Sequence, residues 1–281
     1  MPTLLAVIRL LRPLNLLQGT LAVLVAAALQ PAWPAATAIL QTLAVLLAFT
    51  GAANALNDWF DYPIDRINRP DRPLSGGALP RPAGLILAVV LFALGALAAL
   101  PLPQEARRIA LWIALPLLVL YTPVFKPRPL AGNFVVAGML GLAFLFAGSV
   151  FGRLDLMWPP FGLALGFTLL RELIKDIEDV AGDQAGEAAT FPVKYGVAAA
   201  VRLAQALTLA LMMGALLPYI LGVYGAIYLT ALVVGVELPL LYAFAYLYKH
   251  PDPGGCAWVA KVLKIDIFFG LLAVYLSRFD G

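Results

Sequence analysis

The 281 residues are 62% hydrophobic and only 12% charged, too little charge to coat a soluble domain, where about a quarter of residues are charged. A net charge of +3, carried in short loops with no basic tract, argues against nucleic-acid binding and for a membrane topology signal. The single cysteine, Cys256, excludes an internal disulfide, and the lone histidine, His250, sits in the loop His250-Pro251-Asp252-Pro253 without the partners a zinc site needs.

In chain order, Arg9 and Arg12 precede an apolar run that continues to Leu29, long enough to span a bilayer rather than act as a cleaved signal. Nine apolar stretches near the spanning length of about 20 residues are predicted. They lie at 12–30, 37–57, 83–101, 107–124, 131–150, 158–175, 197–218, 224–247 and 257–277. Their interiors are almost free of charge. Glu237 is the clearest exception, and Lys261, Lys264 and Asp266 interrupt the last stretch, which places its first turns at the interface or against other helices. No succession of alternating ten-residue segments suggests a β-barrel. With residue 1 in the cytoplasm, fifteen of the nineteen Lys and Arg residues fall inside; Arg107, Arg108, Arg153 and Arg278 fall outside. Eight or ten spans would scramble that asymmetry. The expected fold class is all-α, a polytopic membrane protein with nine transmembrane helices in one domain over 1–281, in the cell membrane.

The acids are spread still less evenly. Asp58, Asp61, Asp65 and Asp71 fall in one window, and Glu172, Asp176, Glu178, Asp179, Asp183 and Glu187 in another, so ten of sixteen acids occupy two cytoplasmic helix ends. Both windows contain the frame Asp-x2-Asp-x3-Asp: Asp58, Asp61 and Asp65 in the first, Asp176, Asp179 and Asp183 in the second. On a helix, positions i, i+3 and i+7 fall within about 60° of one another. Asn54 joins that face in the first motif and Glu172 in the second. Pro63 and Gly182 inside the frames are expected to end or bend each helix, leaving Asp65 and Asp183 on the following loop. Acids at a helix end are ordinary when they occur once; two copies in one frame on one membrane face are not. Carboxylates so placed repel, and a cation relieves the repulsion. Mg²⁺ takes oxygen ligands and commonly bridges one or two carboxylates to phosphate oxygens. Arg66, Arg69 and Arg72 follow the first motif, Lys126 follows Tyr121-Thr-Pro-Val-Phe, and Lys175 precedes Asp176. Guanidinium forks and ammonium point charges suit phosphate, so the pattern predicts a Mg²⁺–diphosphate site.

These residues resemble the UbiA superfamily of intramembrane prenyltransferases. The resemblance is carried by Asn57-Asp58-x-x-Asp61-x-x-x-Asp65, by the following Arg66-x-x-Arg69-Pro70-x-Arg72-Pro73-x-x-Gly76, and by Lys175-Asp176-x-x-Asp179-x-x-x-Asp183, and it covers nearly the whole chain. It implies nine helices around a central cavity with Asp-bearing cytoplasmic cap loops. Arg12-Pro13-Leu14-Asn15 and Arg171-Glu172-x-x-Lys175-Asp176-Ile177-Glu178-Asp179 look most like the members that alkylate geranylgeranylglyceryl phosphate to make ether lipids.

The reaction so implied is ionisation of a prenyl diphosphate to an allylic cation, then capture by a lipophilic acceptor, with Mg²⁺ as cofactor. Mg²⁺ ligands are assigned to Asp58, Asp61, Asp176, Asp179 and Asp183, with Asn54, Asn57 and Asp65 as near neighbours. Diphosphate contacts go to Arg66, Arg72, Lys126 and Lys175, with Tyr121 as a hydrogen-bond donor. Arg12 and Asn15 in the first span are acceptor or phosphate candidates. Trp59, Phe60, Phe144, Phe146 and Phe167 are candidates for the tail pocket, against packing as the commoner role for aromatic residues in membrane helices. An aromatic quinone precursor such as 4-hydroxybenzoate is the alternative acceptor. A transporter is the alternative from another class, although it would place polar groups near the bilayer midplane.

Overall fold

Among the described residues every regular element is helical and no strand forms. The computed structural model describes residues 2–185 and 188–280, apart from the side chains of Pro2, Asn68 and Ala185; Glu187 of the second acidic window lies outside them. The chain divides into two compact units, Met1–Phe125 with Leu142–Asp155, and Lys126–Gly141 with Leu156–Gly281.

The first unit opens with α1 (Pro2–Leu10) and α2 (Pro13–Ala28), bent by 53° where the sequence reads a single run from residue 12. Proline lacks an N–H and drives its predecessor out of the right-handed helical region. Arg12 answers by adopting φ 54°, ψ 78°, a left-handed conformation rare for a residue with a side chain. α3 (Ala36–Phe60) ends at Asp61, and Pro63 sits in the first turn of the short α4 (Tyr62–Asn68), where a missing N–H costs no hydrogen bond. The loop that follows folds back so tightly that a Cβ on Gly76 would lie 2.6 Å from the Pro70 carbonyl oxygen. Only glycine fits there.

α5 (Arg81–Ala99) packs along α3, and the missing side chain of Gly95 admits the Phe49 ring. Ala6, Leu10, Ala55, Leu56, Leu74, Leu79 and Ala88 form one buried cluster that seats α1 and the 69–80 loop on the end of α3. α6 (Gln104–Phe125) widens to π turns at Ile109–Ala114 and Tyr121–Phe125. Pro116 follows the first by two residues and Pro123 lies inside the second, and a proline leaves a carbonyl without its α-helical donor.

α7 (Ala131–Phe151) contributes its start to the second unit and its end to the first. In the second unit α8 (Trp158–Glu178) packs against α11 (Val197–Ile220) and α13 (Pro253–Leu276). α8 breaks at Asp179, and α9 (Val180–Ala185) and α10 (Phe191–Tyr195) follow. The break thus comes before Gly182, which was expected to end or bend the helix; Gly182 lies inside α9, and Asp183 rides on α9 rather than on a following loop. α12 (Ala226–Lys249) carries a third π turn at Val233–Glu237, just before Pro239. That turn and α13 contribute two buried carboxyls, Glu237 and Asp266, exposed by 8% and 2%. Glu237 Oε1 and both Asp266 oxygens have no hydrogen-bond partner among the described residues.

Six of these helices, α3, α5, α6, α7, α11 and α12, are long and apolar enough to cross a membrane, and the bent pair α1–α2 would make a seventh. α8 and α13 are as long but carry more charge, Arg171 to Glu178 in one and Lys261, Lys264 and Asp266 in the other. Large apolar side chains are exposed along the apolar helices, Trp112 by 79% and Met213 by 71%, a surface that hydrocarbon rather than water solvates.

Candidate active site

The last turns of α3 place Asn54, Asn57, Asp58 and Asp61 on one face, since steps of three and four residues return to the same side of a helix. Asn54, Asn57 and Asp58 are buried. Such groups need partners, and the break between α1 and α2 supplies them. Arg12 donates from Nη2 to Asn57 Oδ1 at 3.0 Å and to Asp58 Oδ1 at 2.5 Å. Asn54 Nδ2 donates to the Leu11 carbonyl at 2.9 Å, and Asn15 Nδ2 approaches Asn54 Oδ1 at 3.4 Å. Asn57 Nδ2 donates to Thr122 Oγ1 at 3.2 Å, a hydroxyl presented by the second π turn of α6.

The 69–80 loop brings a second guanidinium. Arg72 Nη1 donates to Asp65 Oδ2 at 2.6 Å and to Asp58 Oδ1 at 3.2 Å. Asp58 therefore stands between two arginines, its side chain only 4% exposed. Burial pushes the Asp65 carboxyl above the usual carboxylate range; Arg72 opposes the shift, and the charges of Asp61 and Asp58 add to it. Asp65 rides on α4 rather than on a loop. Arg66 is exposed and lines a cleft with Tyr62 and Arg81, so the structure does not bring it to Asp58 and Asp65 as it brings Arg72.

In the second unit Asp176 lies in the last turn of α8 and accepts a hydrogen bond from Asn133 Nδ2 at 2.8 Å. Lys175 Nζ lies 3.6 Å from Asp179 Oδ2, and Arg171 pairs with Glu172 at 2.7 Å. Asp183, on α9, accepts from Thr190 Oγ1 at 3.0 Å. Its carboxyl is also pushed up, chiefly by burial and further by Asp179, against the hydrogen bond from Thr190 and the charges of Lys126 and Lys175. Lys126 thus lies within electrostatic reach of the second motif. Tyr121 is half-buried at the start of the π turn that closes α6. Of the aromatic candidates, Phe144, Phe146 and Phe167 are buried, while Trp59 meets the Phe60 ring edge-on at 4.9 Å.

Thr122, Asn133 and Thr190 escaped the sequence reading. Asn133 carried a signal, as a lone amide in an otherwise apolar run; Thr122 and Thr190 did not.

Among the described residues no three carboxylate, histidine or cysteine side chains gather into a group that would hold a metal on its own. Mg²⁺ does not require one, because it keeps water and takes one or two carboxylates together with substrate phosphates. The hard oxygen donors of the two motifs fit that ion, and at Asp58 two guanidiniums supply the positive charge that the buried carboxylate requires.

Residues 16–270 match the UbiA prenyltransferase family. The digeranylgeranylglyceryl phosphate synthase of Natronomonas pharaonis is 39% identical over 240 residues, which covers 84% of this chain and 83% of the relative. The synthase of the same name from Thermococcus sibiricus is 34% identical over 272 residues, 96% of each chain. A solved structure of digeranylgeranylglyceryl phosphate synthase in membranes superposes with a TM-score of 0.82 at 29% identity, covering 99% of both chains. A UbiA homologue from Archaeoglobus fulgidus, solved with GPP and Mg²⁺, shares the fold with a TM-score of 0.72 at 16% identity over 96% of this chain and 99% of that one. With buried Asn and Asp side chains on one face of α3 and a family match over most of its length, the chain belongs to the UbiA prenyltransferase family.

Proposed function

We propose that the protein transfers a geranylgeranyl group from its diphosphate to geranylgeranylglyceryl phosphate in ether-lipid synthesis. The observation that carries this reading is the 34% identity with a synthase of that activity over 96% of both chains. Heterolysis of the allylic C–O bond leaves its electron pair on the diphosphate, the acceptor hydroxyl oxygen forms the new ether bond, and its proton is released. Mg²⁺, when bound, neutralises charge building on the leaving diphosphate. Asp58 and Asp61 of the first motif and Asp176, Asp179 and Asp183 of the second are its proposed ligands. Arg72, Lys126 and Lys175 add fixed positive charge for the same group, and Tyr121 a hydroxyl donor. Asn54, Asn57 and Asn15 hold the first motif in place, and Arg12 aligns Asp58. Apolar walls exclude the water that would quench an allylic cation.

The same reading has nine helical runs crossing the membrane, with both Asp windows in the cytoplasm. The Lys and Arg asymmetry supports it. Cysteines placed at Ala78 and Ala189, in a chain lacking Cys256, would then label from the cytoplasmic face alone. Activity is tested by offering labelled geranylgeranyl diphosphate, with and without Mg²⁺, together with geranylgeranylglyceryl phosphate or 4-hydroxybenzoate. The expected result is Mg²⁺-dependent product with the glyceryl phosphate. Product with the aromatic acceptor alone would replace the acceptor, and no diphosphate release with either would overturn prenyl transfer.

A further inference from the structure

α4 has a second face that the Asp58–Asp65–Arg72 network leaves without a role. Tyr62 and Arg66 stand four residues apart, as do Pro63 and Ile67, so the four share one side of the helix. Asp65 is about a third of a turn away. The four line a cleft of about 480 Å³ together with Arg81, the first residue of α5. That volume lies within the roughly 300–1,000 Å³ of small-molecule sites. The Arg81 guanidinium is 5.2 Å from the Trp59 ring centre and 5.1 Å from that of Tyr62, close enough for both rings to hold it by cation–π attraction.

Neither Arg66 nor Arg81 makes a hydrogen bond or an ion pair among the described residues. Two guanidiniums lining one cleft repel each other, and an anion between them removes the repulsion. Their planar forks match phosphate oxygens. Ile67, one of the lining residues, is 80% exposed. Cations, aromatic rings and bare aliphatic groups at one helix end are the combination that a bilayer's headgroup region solvates. We propose that the cleft between α4 and the start of α5 binds the phosphate of an anionic phospholipid from the surrounding bilayer. This rests on the reading of the chain as a membrane protein and not on its acceptor. Such a lipid would steady α4, and with it Asp65.

The test uses the full chain in detergent, titrated calorimetrically with short-chain phosphatidylglycerol, with phosphatidylcholine of the same chain length, and with inorganic phosphate. Saturable binding is expected for phosphatidylglycerol alone. Arg81→Gln should weaken it about fivefold, the contribution of one basic residue at an anionic surface, while Mg²⁺-dependent turnover in phosphatidylcholine stays unchanged. Arg81→Lys, which keeps the charge and loses the stacked plane, should fall between. If Arg81→Gln unfolds, Arg81→Lys and Arg66→Gln decide by the same titration. Wild-type affinity in the charge-removing variants would overturn the proposal. So would equal binding of phosphatidylcholine, or of inorganic phosphate, which would make the site one for the free ion. A raised KM for geranylgeranylglyceryl phosphate with unchanged phosphatidylglycerol affinity would make the cleft an acceptor subsite instead. A chain that binds phosphatidylglycerol but shows no prenyl transfer would leave the lipid site standing and overturn only the activity.

Discussion

Arg12 reaches across 46 residues of sequence to place its Nη2 2.5 Å from Asp58 Oδ1, from a backbone conformation that L-residues avoid. A left-handed non-glycine residue costs roughly 1–2 kcal/mol, and such strain survives where the surroundings over-determine it. Pro13 behind it and Asn57 and Asp58 in front of it do so here. Arg12→Gln should lower kcat by about 10–100-fold, the effect of removing the partner that orients a metal-ligating group. Arg12→Lys should recover part of that, since one ammonium keeps the charge but not the fork. Initial rates at saturating donor and acceptor decide it; an Arg12→Gln enzyme with full kcat would reduce the pair to packing.

Asp58 and Asp179 separate catalysis from stability. Both are proposed metal ligands, so Asp58→Asn and Asp179→Ala should each abolish measurable turnover. Their melting temperatures should differ. The Lys175–Asp179 pair is 3.6 Å long with both side chains more than a third exposed, and its loss should be close to neutral. Asp58→Asn removes the shared anion of Arg12 and Arg72, and unsatisfied partners there cost about 1–3 kcal/mol. Near-normal activity of either variant at saturating Mg²⁺ would remove it from the ligand set.

The pH dependence follows from Asp65 and Asp183, whose carboxyls burial pushes above the ordinary range. As pH falls, both lose their charge earlier than exposed carboxyls with pKa values near about 4. The acid limb of activity should therefore begin above that range and move to lower pH as Mg²⁺ is raised. Stability has the opposite sign: for a carboxyl with a raised folded-state pKa, protonation favours the folded form, so these two groups add stability as pH falls through their folded values. A pH–rate profile at two Mg²⁺ concentrations, with melting curves alongside, tests both. An acid limb in the ordinary carboxylate range, indifferent to Mg²⁺, would contradict the assignment.

Glu237 and Asp266 predict a gain. Both are buried in helices of the second unit, outside the motifs, and carry carboxyl oxygens with no hydrogen-bond partner among the described residues. An unpaired buried ionisable group is a standing cost, so Asp266→Leu and Glu237→Met, which take the unpaired oxygens away, should each stabilise the fold by about 1 kcal/mol or more and raise the melting temperature. Turnover should be unchanged. A loss of turnover in the folded variant would give the pair a part in the reaction.

The apolar runs at 37–57, 131–150 and 197–218 coincide within about a turn with α3, α7 and α11, because twenty apolar residues have few alternatives to a helix when the solvent offers no hydrogen bonds. The acids were legible because charge at a helix end is conspicuous against such a background. Partners were not. Nothing in the local pattern at Arg12 says that Pro13 will turn it left-handed onto Asp58, or that a π turn will bring Thr122 to Asn57, since these depend on tertiary packing. Arg66 and Arg72 read alike in sequence, yet helical phase in α4 leaves the first in an outer cleft and the turn closed by Gly76 carries the second to Asp65.

Asp280 accepts hydrogen bonds from the amides of Gly225, Ile227 and Tyr228 at 2.8, 2.6 and 3.2 Å, filling the open donors at the start of α12. During synthesis those donors emerge 55, 53 and 52 residues before their acceptor. α12 therefore begins life with an uncapped first turn, and the hairpin it makes with α13 becomes a closed ring only when residue 280 arrives. Replacing Asp280 by Ala would leave the amides of Gly225, Ile227 and Tyr228 without this acceptor and should cost the start of α12 about 0.5–2 kcal/mol.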